Sequence, residues 1–150
     1  MAVKPIPNGF HTITPHLTVH NAAKLVDFLE KAFGAKKRFP PLTRPDGAIM
    51  HVQMEIGDSL IMIGEPMGKN NPIPGNLYLF VQDVDATYQR AIQEGATSLM
   101  PPADMFYGDR TGAVLDICGN QWVIATHIED VSRDEMQKRA DAFMKPEGKK

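Results

Sequence analysis

Few side chains here can ligate a metal or move a proton, and most of them fall on stretches that read as strands. The 150-residue chain has five histidines and a single cysteine. His51, Gln53 and Glu55 alternate with Val52, Met54 and Ile56 in the stretch Ala48 to Ile56, so they share one face of a strand. His16 lies in "ITPHLTVH" (13–20), two residues from Thr14 and therefore on its face. His127 shares the face of Ala125 and Val123. Imidazole and carboxylate suit borderline divalent ions, so His16, His51, Glu55 and His127 form one candidate ligand set for Ni, Zn, Mn or Fe. The competing reading makes 51, 53 and 55 the wet face of a sheet, and His127 a group that bonds the chain as it leaves the sheet. His11 and His20 read as surface residues flanking a strand.

Other chemistries have less support. Cys118 sits beside a hairpin turn with no cue for a lowered pKa, and reads as a small strand-end residue rather than a nucleophile. One cysteine excludes a disulfide within the chain and fits a reducing cytoplasm, which is the expected location. There is no Gly-rich phosphate loop, G-x-S-x-G elbow or H-E-x-x-H helix. A net charge of -2 and a pI of 6.2 give no general case for binding nucleic acid or a membrane surface. No apolar run approaches the length needed to cross a bilayer, and the "EGKK" ending reads as a solvated tail. At 43% apolar and 23% charged, the composition is that of one ordinary globular domain.

Two similar halves position these residues. The first strand (13–20) leads to "NAAKLVDFLEKAFGA", where Asn21 is a plausible N-cap. Leu25, Phe28, Leu29, Ala32 and Phe33 then share a helical face, and Gly34 ends it. A proline-interrupted edge strand follows, then a hairpin turning at Gly57 and Asp58. The pattern recurs from "NLYLFVQDV" (76–84), through a helix that Gly95 stops, to a hairpin with a tight turn at Gly119 and Asn120. Leu17 and Leu79, Val19 and Val81, and Gly57 and Gly119 are each 62 positions apart. The expected fold is α+β: two tandem β-α-β-β-β modules in a single domain, about 10–65 and 76–130, forming a cupped mixed sheet. A Pro/Gly/Asn linker (66–75) joins them, and a C-terminal helix (132–144) is opened by the capping box of Ser132 and Glu135.

This doubled order resembles the vicinal oxygen chelate superfamily of glyoxalases, bleomycin resistance proteins and ring-cleaving dioxygenases. The ending "D..GNQWVIATHIEDVS" (Asp116 to Ser132) and the opening "TPHLTVHNAAKLVDFLEKAFGA" are most similar to its PhnB-like branch, and the likeness runs from about residue 10 to 137. Departures are Ile117-Cys118 where Pro-Phe is common, Asn120 for His, and Arg133 for Pro. The resemblance implies four metal-ligand positions converging in the cup. Here they are Thr14, Asn76, Val123, and Ile61 or Met62 according to register, none of them a usual ligand. No resident cofactor is therefore expected, with a divalent metal on the displaced set as the alternative.

The pocket residues expected are Thr14, His16, Met62, Asn76, Tyr78, Phe106, Tyr107 and Val123, with Phe80 continuing the face of Tyr78. Trp122 should pack on a helix, and Met50, Met54, Met62, Met67, Met100 and Met105 should lie near the cup, where methionine adapts to varied ligands. Three functions follow. One is metal-free binding of a small organic molecule, as in the drug-binding resistance proteins. Another is a metal-dependent lyase, isomerase or dioxygenase on noncanonical ligands. The third is an interaction protein whose cup its own side chains fill. The resemblance also implies a homodimer.

Overall fold

The computed structural model describes residues 2–145. The first module comprises β1 (His16–Thr18), α1 (Ala22–Phe33), β2 (Lys36–Lys37), β3 (Leu42–Thr43), β4 (Ile49–Ile56) and β5 (Ser59–Gly64). The second comprises β6 (Asn76–Phe80), α2 (Val84–Gln93), β7 (Thr97–Asp104), β8 (Asp109–Leu115) and β9 (Gln121–His127), and α3 (Arg133–Met144) follows. Sheet orders β1-β5-β4-β2 and β6-β9-β8-β7 are the same topology used twice, with β3 pairing on β4. In each, the first strand is parallel to the last and the remaining pairs are antiparallel.

Each helix covers one face of its sheet. Leu25, Phe28, Leu29 and Ala32 of α1 are buried with Leu17, Val52, Met54, Ile61 and Ile63, while Val84, Tyr88 and Ala91 of α2 are buried with Val114, Trp122 and Ile124. Alternation in the strands then sends the intervening residues to the open face. The modules are held together on the helix side. Phe33 packs edge-on to Trp122 at 5.0 Å, and Arg90 Nε of α2 donates to the Ala32 carbonyl near the end of α1. Cationic donors are favoured there by the unsatisfied terminal carbonyls.

Several local expectations change. The first strand is only three residues long, and Ile13 is exposed. Asn21 adopts a left-handed backbone (φ 59°) and makes no side-chain cap bond, whereas Gly34 ends α1 as expected. α2 closes at Glu94 with Gly95 next, at positive φ. The prolines split the first module's edge strand into β2 and β3, but β7 runs continuously through Pro101 and Pro102. It tolerates them by register shifts on an edge.

The second hairpin does not turn tightly at Gly119 and Asn120. Leu115 pairs with Gln121, leaving a five-residue loop, Asp116 to Asn120, wrapped on the Asp116 carboxylate. That carboxylate accepts from the Cys118 and Asn120 amides, the Asn120 side chain and Trp122 Nε1. Nor do β1 and β6 pair into one continuous sheet: Ile73 of the linker bonds to Thr18 on the β1 edge, and β6 hydrogen-bonds only to β9 among the described residues. Ser132 caps α3 through the Glu135 amide, but the Glu135 side chain goes to Arg139 instead of completing the box. No residue of α3 is buried, and Phe143 is largely exposed beside Phe106. The "EGKK" tail lies outside the described residues. Among those described, no helix is long and apolar enough to cross a membrane.

Candidate functional site

Three rungs of the open face of the second sheet carry the candidate site. Tyr78, Val123, Ala113 and Met100 form one, and Phe80, Ala125, Thr111 and Ala103 the next. His127 and Asp109 form the third. Asp109 is only 8% exposed, and its two oxygens are both used. Tyr78 Oη donates to Oδ2 at 2.6 Å and His127 Nδ1 lies 2.8 Å from Oδ1. His127 Nε2 is 2.8 Å from Asp130 Oδ1. Two carboxylates can face both ring nitrogens only if both carry hydrogen, so this geometry belongs to the imidazolium. The bonds to Asp109 and then Asp130 accordingly hold the His127 pKa above its ordinary value. Burial, and then the bond to Asp109, raise that of Tyr78 well beyond the usual tyrosine range, so its phenol is a donor and not an acid.

The sign of the pH effect follows. A histidine whose folded pKa is raised contributes stability that is complete below the unfolded value, about 6.5. That contribution fades as pH rises through the raised folded value. Wild type is expected to lose melting temperature across that window relative to His127→Gln, whose curve lacks this step. Parallel curves from pH 5.5 to 8.5 would remove His127 from the account.

Tyr78 and Phe80 are tilted against each other at 5.1 Å and are 44% and 61% exposed. They stand on the free edge strand and also at the rim of a cavity of about 580 Å³ between the modules. Leu77, Leu79, Phe33, Ile61 and Trp122 supply its apolar wall, and Asp83, Thr87 and Arg90 of the α2 segment its polar side. That volume suits a small organic ligand. A second recess, about 560 Å³, lies on the open face of the first sheet, where His16, Thr18, Met50, Glu65 and Met67 meet linker residues.

The expected pocket residues thus divide. Tyr78 is at the inter-module cavity and His16 at the other recess, while Val123 and Asn76 lie on the β6–β9 rungs and Met62 beside His16. Thr14 precedes β1 and lines neither cavity. Phe106 and Tyr107 pack on each other at 5.2 Å in the β7–β8 loop, with Phe106 against Phe143. Met54 is fully buried on the helix side, away from the open face. Asp109 and Arg110 do not pair: Arg110 instead bridges Asp85 of α2 and Asp104 of β7. Cys118 donates to the His20 carbonyl, and burial, with the Asp116 charge, pushes its pKa up to about 11, opposite to a nucleophile's need.

The partnership of Tyr78, Asp109 and His127 was hidden in the sequence by the turn. A two-residue turn at Gly119 and Asn120 pairs His127 with Gly112, whereas the five-residue loop pairs it with Asp109. An aspartate three residues before a Gly-Asn pair is the signal that favours the longer loop.

The metal positions can now be judged. Met62 pairs with both His16 and Gln53 on the open face, and Ile61 is buried on the helix side, so the register uncertainty resolves to Met62. Thr14, Met62, Asn76 and Val123 offer a hydroxyl, a thioether, a carboxamide and no donor at all, a set that does not fit a divalent cation. The displaced set does not assemble either. His16 and His51 have ring centroids 6.3 Å apart, but Glu55 lies four residues further along β4, paired with Leu60 and Lys36, and His127 is in the other sheet between Asp109 and Asp130. Among the described residues no group of three or more His, Cys, Asp or Glu is placed to hold a metal ion.

The Glyoxalase/Bleomycin resistance protein/Dioxygenase superfamily model matches residues 9–124. The chain belongs to this superfamily. The uncharacterized protein Mb0911c of Mycobacterium bovis is 35% identical to it over 138 residues, spanning 83% of this chain and 89% of that protein. The uncharacterized protein Rv0887c of Mycobacterium tuberculosis has the same identity and spans 79% of its own length. Among solved structures, TioX from Micromonospora sp. ML1 superposes with a TM-score of 0.65 at 24% identity, covering 79% of this chain and 99% of that one. A Bacillus cereus protein described as a putative 3-demethylubiquinone-9 3-methyltransferase, PhnB protein, gives 0.63 at 15% identity, covering 77% and 99%. These structural likenesses establish the glyoxalase/bleomycin-resistance fold, and the family match the superfamily.

Proposed function

We propose that this superfamily member is a PhnB-like protein that binds a small, largely planar organic molecule without a resident metal. The observation that carries the reading is the Tyr78–Phe80 pair. Two exposed aromatic rings stand at the mouth of a cavity between the modules, and one donates a hydrogen bond to a buried carboxylate. Aromatic faces provide a surface for a flat ligand. The donor-poor metal positions support the same reading.

A second copy of the chain completes the site. Neither the inter-module cavity nor the recess beside His16 joins the two open sheet faces within one chain, and β6 keeps an unpaired edge. In a homodimer the His16 and Met62 face of one chain meets the Tyr78 and Val123 face of the other.

Trp122, the only tryptophan, borders the cavity and reports on its contents. Titration with a panel of neutral planar aromatics is expected to give saturable quenching by some members. Phe80→Ala should weaken them about tenfold, the effect of losing one aromatic contact surface. Light scattering should return twice the 16.6 kDa chain mass. Equal affinity in Phe80→Ala would sink the proposed site, and a binding-competent monomer would sink its shared character.

A further inference from the structure

Tyr78 and Asp109 stand two strands and two rungs apart, so the phenol that joins them lies diagonally across β9. The rung it crosses contains Ala125 and Thr111, which are 0% and 1% exposed although they lie on the face turned away from the helices. Ala113 on the neighbouring rung is also small and buried. The floor under the ring is therefore made of small side chains. Thr111 Oγ1, two residues along the same strand face from Asp109, is buried and has no hydrogen-bond partner among the described residues. A buried hydroxyl without a partner is destabilising, so its position beside a buried carboxylate calls for an explanation.

We infer that Tyr78 is a displaceable plug, and that the space opened over Ala125 and Thr111 when it swings away takes an organic ammonium ion carrying at least one N–H, which replaces the phenol as donor to Asp109 Oδ2. The inference rests on the binding reading above and narrows its ligand class. An ammonium leaves Asp109 with the same number of donors and substitutes a charged donor for a neutral one, which is the stronger bond. A second N–H has Thr111 Oγ1 as an acceptor. The local charge favours a cation, because Asp109 and Asp130 outnumber the single imidazolium of His127. Phe80 beside Tyr78 presents an aromatic face, which also attracts cations. Tyr78 is free to leave because its strand is an edge and its ring is partly in solvent.

The test uses calorimetry on the full chain with benzylammonium, benzyl alcohol and phenylacetate. Wild type should prefer benzylammonium to both. Tyr78→Phe keeps the ring but frees Asp109 Oδ2, and should bind benzylammonium about tenfold tighter, with a smaller gain for benzyl alcohol, whose neutral O–H makes the weaker bond to the freed oxygen. Asp109→Asn should abolish the preference. If that variant does not fold, the comparison of the three probes on Tyr78→Phe decides alone. Binding of benzyl alcohol without an ammonium preference overturns the plug and leaves the binding reading standing. Failure of every probe also overturns the plug, and the binding reading is then judged on the tryptophan titration.

Discussion

Asp116→Ala is expected to lower stability by about 3–5 kcal/mol, the range for stranding the partners of a buried charged group. Asp116 is buried, and its carboxylate satisfies two loop amides, the Asn120 side chain and the indole N–H of Trp122. Each of those donors loses its acceptor at once. The damage also spreads beyond the hairpin. Asn120 Oδ1 accepts from the Gly75 amide and fixes the end of the linker, and Trp122 carries the contact with Phe33 in the other module. Thermal denaturation should therefore show a melting temperature lower by on the order of 10 °C, with Asp116→Asn falling between the variant and wild type because one oxygen remains. Chemical denaturation that placed Asp116→Ala within about 1 kcal/mol of wild type would mean that the loop reorganises around other acceptors.

Gly108→Ala is expected to cost about 2–4 kcal/mol, from backbone strain plus a steric clash that cannot be relieved by a side chain. Gly108 has φ 101°, and a Cβ added there would run into the backbone oxygen of Glu129. The close approach has a purpose in the fold. The Gly108 carbonyl accepts from the Ile128 and Glu129 amides and so fixes the chain just after β9, next to His127 and Asp130. Glu129 in turn holds Arg139 of α3 at 2.8 Å, and that guanidinium lowers the Glu129 pKa. Because α3 buries no residue of its own, this chain of contacts is its main attachment, together with Arg139 to the Phe106 carbonyl. Amide exchange in α3 should accelerate along with the loss of stability. Gly47→Ala is the control: it shares a positive φ of 89° but meets nothing within 4 Å, so it reports strain alone. Equal losses in the two variants would show that the approach to Glu129 contributes nothing.

The open face of the second sheet connects these effects to binding. Asp116 holds the hairpin whose strands carry Asp109 and His127, and Gly108 holds the loop that runs from Phe106 into Asp109. Neither residue lines the inter-module cavity, and Gly108 acts on the site through its neighbour Asp109. Their variants are therefore expected to weaken ligand binding through lost order, whereas Phe80→Ala removes contact surface from a chain that is still folded.

The period-two and period-3.6 patterns by themselves determined the two modules, the helix-facing residues and the face shared by His51, Gln53 and Glu55, because these depend on which local positions are apolar. Gly34 at the end of α1, Gly57 and Asp58 in the first turn, and Trp122 against a helix were legible for the same reason: each follows from a residue's own conformational or packing preference. That position 123 carries a side chain with no donor atom was also readable, since a valine has none in any fold. Tertiary structure alone decided the rest. A loop that closes on a carboxylate shifted the register of the second hairpin, and with it the partner of His127 from Gly112 to Asp109. Tyr78 and Asp109 are 31 residues apart, and their bond exists only because a parallel and an antiparallel pairing bring β6 and β8 to the two sides of β9. The cavity between the modules likewise depends on how two helices pack, which no local pattern encodes.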